Sequence, residues 1–201
     1  DAESLVIYLT GHGGDGTFRM SETEVLKAEE LALWLNELQE TMQGLVTIIY
    51  DACESGSFVL KLSPPSERKR ITITSTSAGE PAYFLSQGAL SFSYTFWSQI
   101  FGGAKIYDAY VMGKDVIGVA LGTGKSQSPE IDDNGNGIGN EKADGDLARE
   151  KYIGKGFAIA GDIPYISGIS PDRVLNGESS ATITVEIMST GRITKVWAVV
   201  H

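Results

Sequence analysis

The sequence predicts an α/β protein built on a mainly parallel sheet, and three observations carry that prediction. Residues 5–10 (LVIYLT), 45–50 (LVTIIY) and 71–76 (ITITST) are runs of strand length rich in β-branched residues, and are too short to be helices. Between the first two lies a helical pattern over residues 27–43, where Leu31, Trp34, Leu35, Leu38 and Met42 recur at three- and four-residue steps. Glu29, Glu30, Asn36, Glu37 and Glu40 fall on the opposite face. Strand, helix and strand joined by short links imply a right-handed crossover and parallel pairing.

The bulk properties bound the rest. A chain of 201 residues holds one sizeable α/β domain and a small appendage, but not two full domains. Its 26 acidic against 16 basic residues, a formal charge of −10, argue against a nucleic-acid partner, which needs clustered Lys and Arg. The only basic run, Arg68-Lys69-Arg70, reads as the solvated start of a strand. No apolar run approaches the ~18–20 residues that span a bilayer, so no membrane span is expected. A single cysteine excludes an internal disulfide and a multi-cysteine zinc site. The chain opens on Asp1 with no signal peptide and turns apolar almost at once. That start is abrupt for a domain, and upstream sequence is expected to have been removed.

The remaining elements follow in order. Residues 11–16 (GHGGDG) form a turn, because four glycines in six disfavour both helix and strand. Ser21 and Glu24 have capping-box spacing ahead of the first helix, and Gly44 ends it. After a Pro64-Pro65 loop and the third strand, residues 90–101 read as an aromatic-rich helix closed by Gly102-Gly103. Residues 106–121 read as another, which Gly113 and Gly118 weaken. Residues 126–146 are polar and glycine-punctuated, a long loop that requires a reason for existing. From residue 162 the character changes. Residues 181–187 alternate, 189–192 read as a turn and 193–200 as a returning strand. Two domains are therefore expected, 1–161 and 162–201, the second being the first strands of a sandwich-like module.

The chemistry concentrates at two turns. The strand 5–10 stops at a turn presenting His12, and the strand 45–50 stops at one presenting Cys53. Cys53 is the only cysteine, and the only other histidine, His201, is the last residue. The spacing, 53 − 12 = 41, accommodates one crossover helix. Both turns then lie at the carboxyl ends of neighbouring parallel strands, the edge where open α/β sheets place their ligands. A histidine beside a cysteine can take its proton and later protonate a leaving amine. Gly13 and Cys53 itself can offer backbone N–H donors to a tetrahedral oxyanion. A lone cysteine is commonly inert core filler, and a histidine in a glycine-rich loop is commonly a turn residue. The residues alone leave catalysis and a structural role both open.

The pair YLTGHGGDG and IIYDACESGS resembles the caspase-like (clan CD) cysteine peptidases, most closely the legumain family, which includes the catalytic subunit of the glycosylphosphatidylinositol transamidase. The similarity extends through ITITSTSAGEPAYF and covers about residues 5–101. It implies a caspase-like three-layer α-β-α sandwich with a mainly parallel sheet, lacking its usual first strand, plus a short C-terminal β segment. It implies His12 as general acid/base, Cys53 as nucleophile, Gly13 as oxyanion donor, and Glu54 with Ser75 to Ser77 as the lining of the primary substrate pocket. The missing first strand is expected to be a partner, an N-terminal segment of the same domain. The other partner implied is a protein or peptide substrate. Asp51, Glu54 and Glu80 near the site would tolerate a basic or amide side chain better than a carboxylate, but Asp51 lies on the strand itself, and the residue at the cleavage position stays open.

Residues 131–137 (IDDNGNG) resemble the start of a calcium loop, with Asp132, Asn134 and Asn136 at the first, third and fifth ligand positions and Gly137 at the sharp turn. The twelfth position is Ala143 rather than Glu; Glu141, Asp144 or Asp146 would have to substitute. A structural Ca²⁺ and a plain solvated turn are the two readings, and no cofactor is required for catalysis. The leading function is a cysteine endopeptidase working through a thioester acyl-enzyme. The alternatives are a transamidase or peptide ligase on the same fold, and a non-catalytic scaffold with a relic site. A sandwich-like appendage and an Asp/Asn-rich loop suit an extracellular or periplasmic bacterial protein.

Overall fold

The computed structural model describes residues 4–65, 67–122, 126–154, 165–170 and 184–188. The chain divides into two compact units, Asp1–Gly156 and Phe157–His201. In the first, β1 (Ser4–Thr10) is followed by three short strands, β2 (Gly13–Gly14), β3 (Thr17–Arg19) and β4 (Val25–Lys27). Helix α1 (Ala28–Thr41) leads to β5 (Leu45–Asp51) and β6 (Arg70–Thr74). Helices α2 (Phe92–Phe101) and α3 (Ile106–Leu121) precede β7 (Glu130–Asp132). The main sheet has the order β1-β5-β6-β7, with β1, β5 and β6 parallel and β7 antiparallel at the edge.

Side-chain alternation along these strands builds the layers. Val46, Ile48 and Tyr50 face one way and bury against Leu31 and Leu35 of α1. Ile49, Ile71 and Ile73 face the other way and bury against Phe92 and Phe96 of α2 and Ile106 and Tyr110 of α3. Both faces of the sheet are covered, which is why β5 and β6 are buried almost throughout. The result is the helix-sheet-helix sandwich with mainly parallel strands that the sequence predicts.

Several local expectations change. Ser21 and Glu24 do not cap α1. The Ser21 hydroxyl accepts from the N–H groups of Thr23 and Glu24 (3.3 and 3.1 Å) and closes the turn between β3 and β4. The helix begins later, where Glu30 reaches back to the Lys27 N–H at 3.1 Å. It also ends earlier than Gly44, at Met42, which is extended and donates its N–H to Leu38 at 2.9 Å. The buried stripe of α1 is Ala28, Leu31, Ala32, Leu35 and Gln39. Two alanines on that line let the helix approach the sheet closely, and Trp34 and Leu38 are left 55% and 38% exposed at the rim.

Arg70 is not solvated. It is 1% exposed, and its guanidinium donates to Gln39 Oε1 (3.1 and 2.6 Å), the Leu62 carbonyl (2.8 Å) and Asn36 Oδ1 (3.0 Å). Those acceptors are neutral, so burial lowers its pKa to about 10 without a carboxylate to restore it. The long polar segment has its reason in β7. Glu130, Ile131 and Asp132 pair with Thr74, Ile73 and Thr72 and close the sheet on that side.

In the second unit, β8 (Tyr165–Ser170) and β9 (Thr184–Met188) form an antiparallel pair with an irregularity between Ile166 and Gly168. The described part of the alternating run, residues 184–187, thus pairs with a strand before it. The turn at 189–192 and the returning strand at 193–200 lie outside the described residues, as does the expected boundary at 161–162. Among the described residues no helix is long and apolar enough to cross a membrane.

Candidate active site

The last rung of the β1–β5 ladder is Thr10 opposite Asp51, and His12 and Cys53 each follow two positions beyond it. The Gly11 N–H still reaches the Asp51 carbonyl at 3.3 Å, so the two turns leave the sheet side by side. Beyond Gly11, the chain folds back as the hairpin β2–β3. The Arg19 N–H donates to the His12 carbonyl at 2.9 Å, and Gly13 stands opposite Phe18. In antiparallel pairing that pattern marks a rung whose own N–H groups stay out of the ladder, so the Gly13 N–H is not consumed by the hairpin. His12 is exposed and Cys53 half-buried.

The hairpin is pressed onto the Cys53 turn. A Cβ on Gly13 would lie 2.3 Å from the Cys53 carbonyl oxygen, 2.5 Å from the Tyr50 hydroxyl and 3.0 Å from the Ala52 Cβ. Glycine is required here by contact, not by φ. The Tyr50 hydroxyl donates to the Thr17 carbonyl at 2.9 Å, and Ser57 Oγ accepts from the Gly16 N–H at 2.9 Å. Both bonds tie the hairpin to the second turn. Burial pushes the Tyr50 hydroxyl pKa up, and negative charge at Cys53 and Glu54 pushes it further, so it remains a donor.

The Cys53 turn is itself stitched to the loop after β6. Glu54 sits in the left-handed region (φ 57°) and donates its N–H to the Glu80 carbonyl at 2.8 Å. Ser55 and Thr76 exchange hydrogen bonds: the Ser55 N–H meets Thr76 Oγ1 at 3.0 Å and the Thr76 N–H meets Ser55 Oγ at 3.1 Å. Gly56 lies flat on this loop, where an added Cβ would stand 2.6 Å from the Ala78 nitrogen. Cys53 Sγ accepts the Ala82 N–H at 3.4 Å.

Ser75 and Ser77 follow β6 on the same sheet edge, with different surroundings. Ser75 is fully buried. Its hydroxyl lies near the Asp51 carboxylate but closes no hydrogen bond of standard geometry. Ser77 is half-buried and donates to Glu130 Oε1 at 2.6 Å. Asp51 turns away from solvent, accepting the Ser93 N–H in the first turn of α2 at 3.0 Å. Burial raises its pKa, and the Ser93 bond together with the nearby Ser75 hydroxyl opposes that rise.

Asp132, Asn134 and Asn136 are elsewhere. Because β7 runs antiparallel to β6, its loop leaves the sheet at the opposite edge, where Gly135 and Gly137 pack against Pro64, Ser63 and Leu60. The Asp132 oxygens accept the N–H groups of Gly135 and Gly137, both at 2.8 Å. Asn134 and Asn136 accept those of Asn136 and Ile138, at 2.9 and 2.8 Å. Among the described residues, no group of three or more His, Cys, Asp or Glu side chains is placed to hold a metal ion.

Sequence reasoning missed the residues that brace the site from a distance, Ala82, Ser93 and Gln127. Backbone donors carry no side-chain signal, and Gln127 lies in a segment that reads only as loop.

Residues 1–108, more than half of the chain, match the Peptidase C13 family. Over 84 residues the chain is 29% identical to a GPI-anchor transamidase of Schizosaccharomyces pombe, a stretch covering 41% of this chain and 21% of that protein. Over 78 residues it is 30% identical to a putative GPI-anchor transamidase of Drosophila melanogaster, covering 38% of this chain and 21% of that protein. The chain therefore spans about a fifth of the length of the curated relatives it matches. With the matched segment carrying both the His12 and the Cys53 turn on its parallel sheet, the chain belongs to the Peptidase C13 family.

Proposed function

We propose that the protein is a cysteine-type endopeptidase with a His12–Cys53 dyad. The observation that carries this reading is the paired exit of the two turns, each two positions past the Thr10–Asp51 rung. His12 takes the Cys53 proton, and the thiolate attacks the scissile carbonyl carbon. The resulting oxyanion is held by the N–H groups of Gly13 and Cys53. Collapse breaks the C–N bond, the amine leaves with a proton from His12, and a thioester remains on Sγ until water attacks it. Glu54 and Ser77, both half-buried, line the primary substrate pocket, with Ser75 buried behind them.

A second reading, transfer of the acyl group to an amine instead of water, is favoured by the names of both curated relatives. It uses the same acyl-enzyme and differs only in what resolves it. The edge of β1, unpaired among the described residues and flanked by Val6, Tyr8, Trp97 and Phe101 in a groove of about 810 Å³, is where an upstream strand of the same domain would add. The β-rich second unit and the Asp/Asn-rich loop support work outside the cytoplasm, in an extracellular or periplasmic setting.

The test is labelling of the full-length polypeptide by a peptidyl electrophile. Cys53 is expected to be labelled, with labelling lost in Cys53→Ala and sharply reduced in His12→Ala. Equal labelling with and without His12 would refute the dyad. Running the cleavage with an amine nucleophile present separates the two readings by whether the acyl product is an amide or a free carboxylate.

A further inference from the structure

The loop after β6 and the segment leading into β7 are joined by the side chains of Gln127 and Glu80, which the chemistry above does not use, and by Ser77. Gln127 is 7% exposed; it donates to the Ser75 carbonyl at 3.0 Å and accepts the Tyr83 N–H at 2.9 Å. The Glu80 carboxylate accepts three hydrogen bonds, from the Ser77 N–H (3.2 Å), the Ser128 N–H (2.7 Å) and the Ser128 hydroxyl (3.0 Å). The Glu80 carbonyl meanwhile receives the Glu54 N–H, next to Cys53, at 2.8 Å. Ser77 adds bonds to the Ser128 carbonyl (3.2 Å) and to Glu130 (2.6 Å).

These bonds bracket Ala82 on both sides, at Glu80 and at Tyr83. Ala82 is the residue whose N–H points at Cys53 Sγ. A short loop pinned at its neighbours cannot swing that donor away, whereas an unpinned loop loses it at little cost.

We propose that Gln127 and Glu80 are positioning residues for Cys53: by pinning the loop 75–83 to the segment 127–130, they keep the Ala82 N–H aimed at Sγ, where it stabilises the thiolate. A donor fixed on a sulfur anion is a charge-assisted bond, stronger than one between neutral groups. Tyr50 from β5 is the titratable group that feels charge at Cys53, and Glu54 on the Cys53 turn acts on that same Tyr50; His12 follows β1 on the neighbouring turn. Glu80 faces Ser77 and Ser128 instead, so its effect on sulfur passes through the backbone. This inference rests on the cysteine-nucleophile reading, yet it concerns the state of the thiol and is measurable without a substrate.

The experiment is the rate of Cys53 alkylation by iodoacetamide between pH 5 and 10 on the full-length protein, read by intact mass, with melting temperatures taken in parallel. Gln127→Ala is expected to move the midpoint of the profile upward by about one pH unit, the size of one charge-assisted hydrogen bond. Ala82→Pro, which deletes the donor itself, is expected to move it as far. Rates are compared well below each variant's melting temperature, and if Ala82→Pro does not fold, Gln127→Ala decides alone. A folded Gln127→Ala with the wild-type midpoint overturns the proposal. A shifted midpoint in a protein that cleaves no peptide refutes the peptidase reading and leaves the clamp standing; cleavage with an unshifted midpoint does the reverse.

Discussion

At position 13 a single methyl group decides whether the two turns can meet. Alanine there would drive its Cβ into the Cys53 carbonyl and the Tyr50 hydroxyl, and neither can retreat, since the hydroxyl is bonded to Thr17 and the carbonyl belongs to the turn itself. Gly13→Ala is expected to displace the hairpin by about 1 Å and lower kcat/KM about 100-fold, with a stability loss of only about 1–3 kcal/mol; steady-state kinetics beside a thermal melt check the split. His12 and Cys53 were legible in the sequence because each ends a strand of unmistakable pattern and one helix separates them. Arg70 was not legible. Its acceptors, Asn36 and Gln39, sit about thirty residues earlier on α1, and a basic run gives no sign that one member turns inward. Arg70→Ala leaves the neutral Gln39 and Leu62 oxygens buried without their donor, and is expected to cost about 2–4 kcal/mol in denaturant unfolding.

Among the elements, β5, β6 and α1 could be read directly, because burial on both sheet faces and a sustained helical period leave strong patterns; β1 showed the same β-branched run although it lies at the sheet edge and is partly exposed. The strands β2, β3, β4 and β7 could not be read directly. At two or three residues each, they are too short to show a period, and they are fixed by tertiary contacts instead. For β7 the fixing device is the loop that follows. Asp133 is 6% exposed, and its two oxygens accept the N–H groups of Gly145 and Ala148, each at 2.8 Å. That loop reads as solvated in the sequence, yet its acidic residue turns inward. Asp133→Ala leaves two buried donors unpaired and is expected to destabilise the protein by about 2–4 kcal/mol, with Asp133→Asn recovering about half. The midpoint of a urea titration measures both.

For the whole molecule, buried carboxyls set the response to pH. Burial raises the pKa of Asp51, Glu130, Asp132 and Asp144. Between the ordinary carboxylate value near 4 and each raised value, the folded state holds more protons than the unfolded chain, so stability falls as pH rises through that window. The formal charge of −10 adds self-repulsion in the same direction. The melting temperature is therefore expected to fall as pH is raised from the ordinary carboxylate value near 4, with a smaller fall in Asp51→Asn; a melting temperature that rises over that range would contradict the burial argument. The central claim, that the edge shared by β1 and β5 is a catalytic edge, is tested most directly by the rate of peptide cleavage in Cys53→Ala and His12→Ala of the full-length protein. Each is expected to fall by about a thousandfold or more, and the double variant little further, because the two residues act as one unit. Cleavage that survives either substitution at the wild-type rate would contradict it.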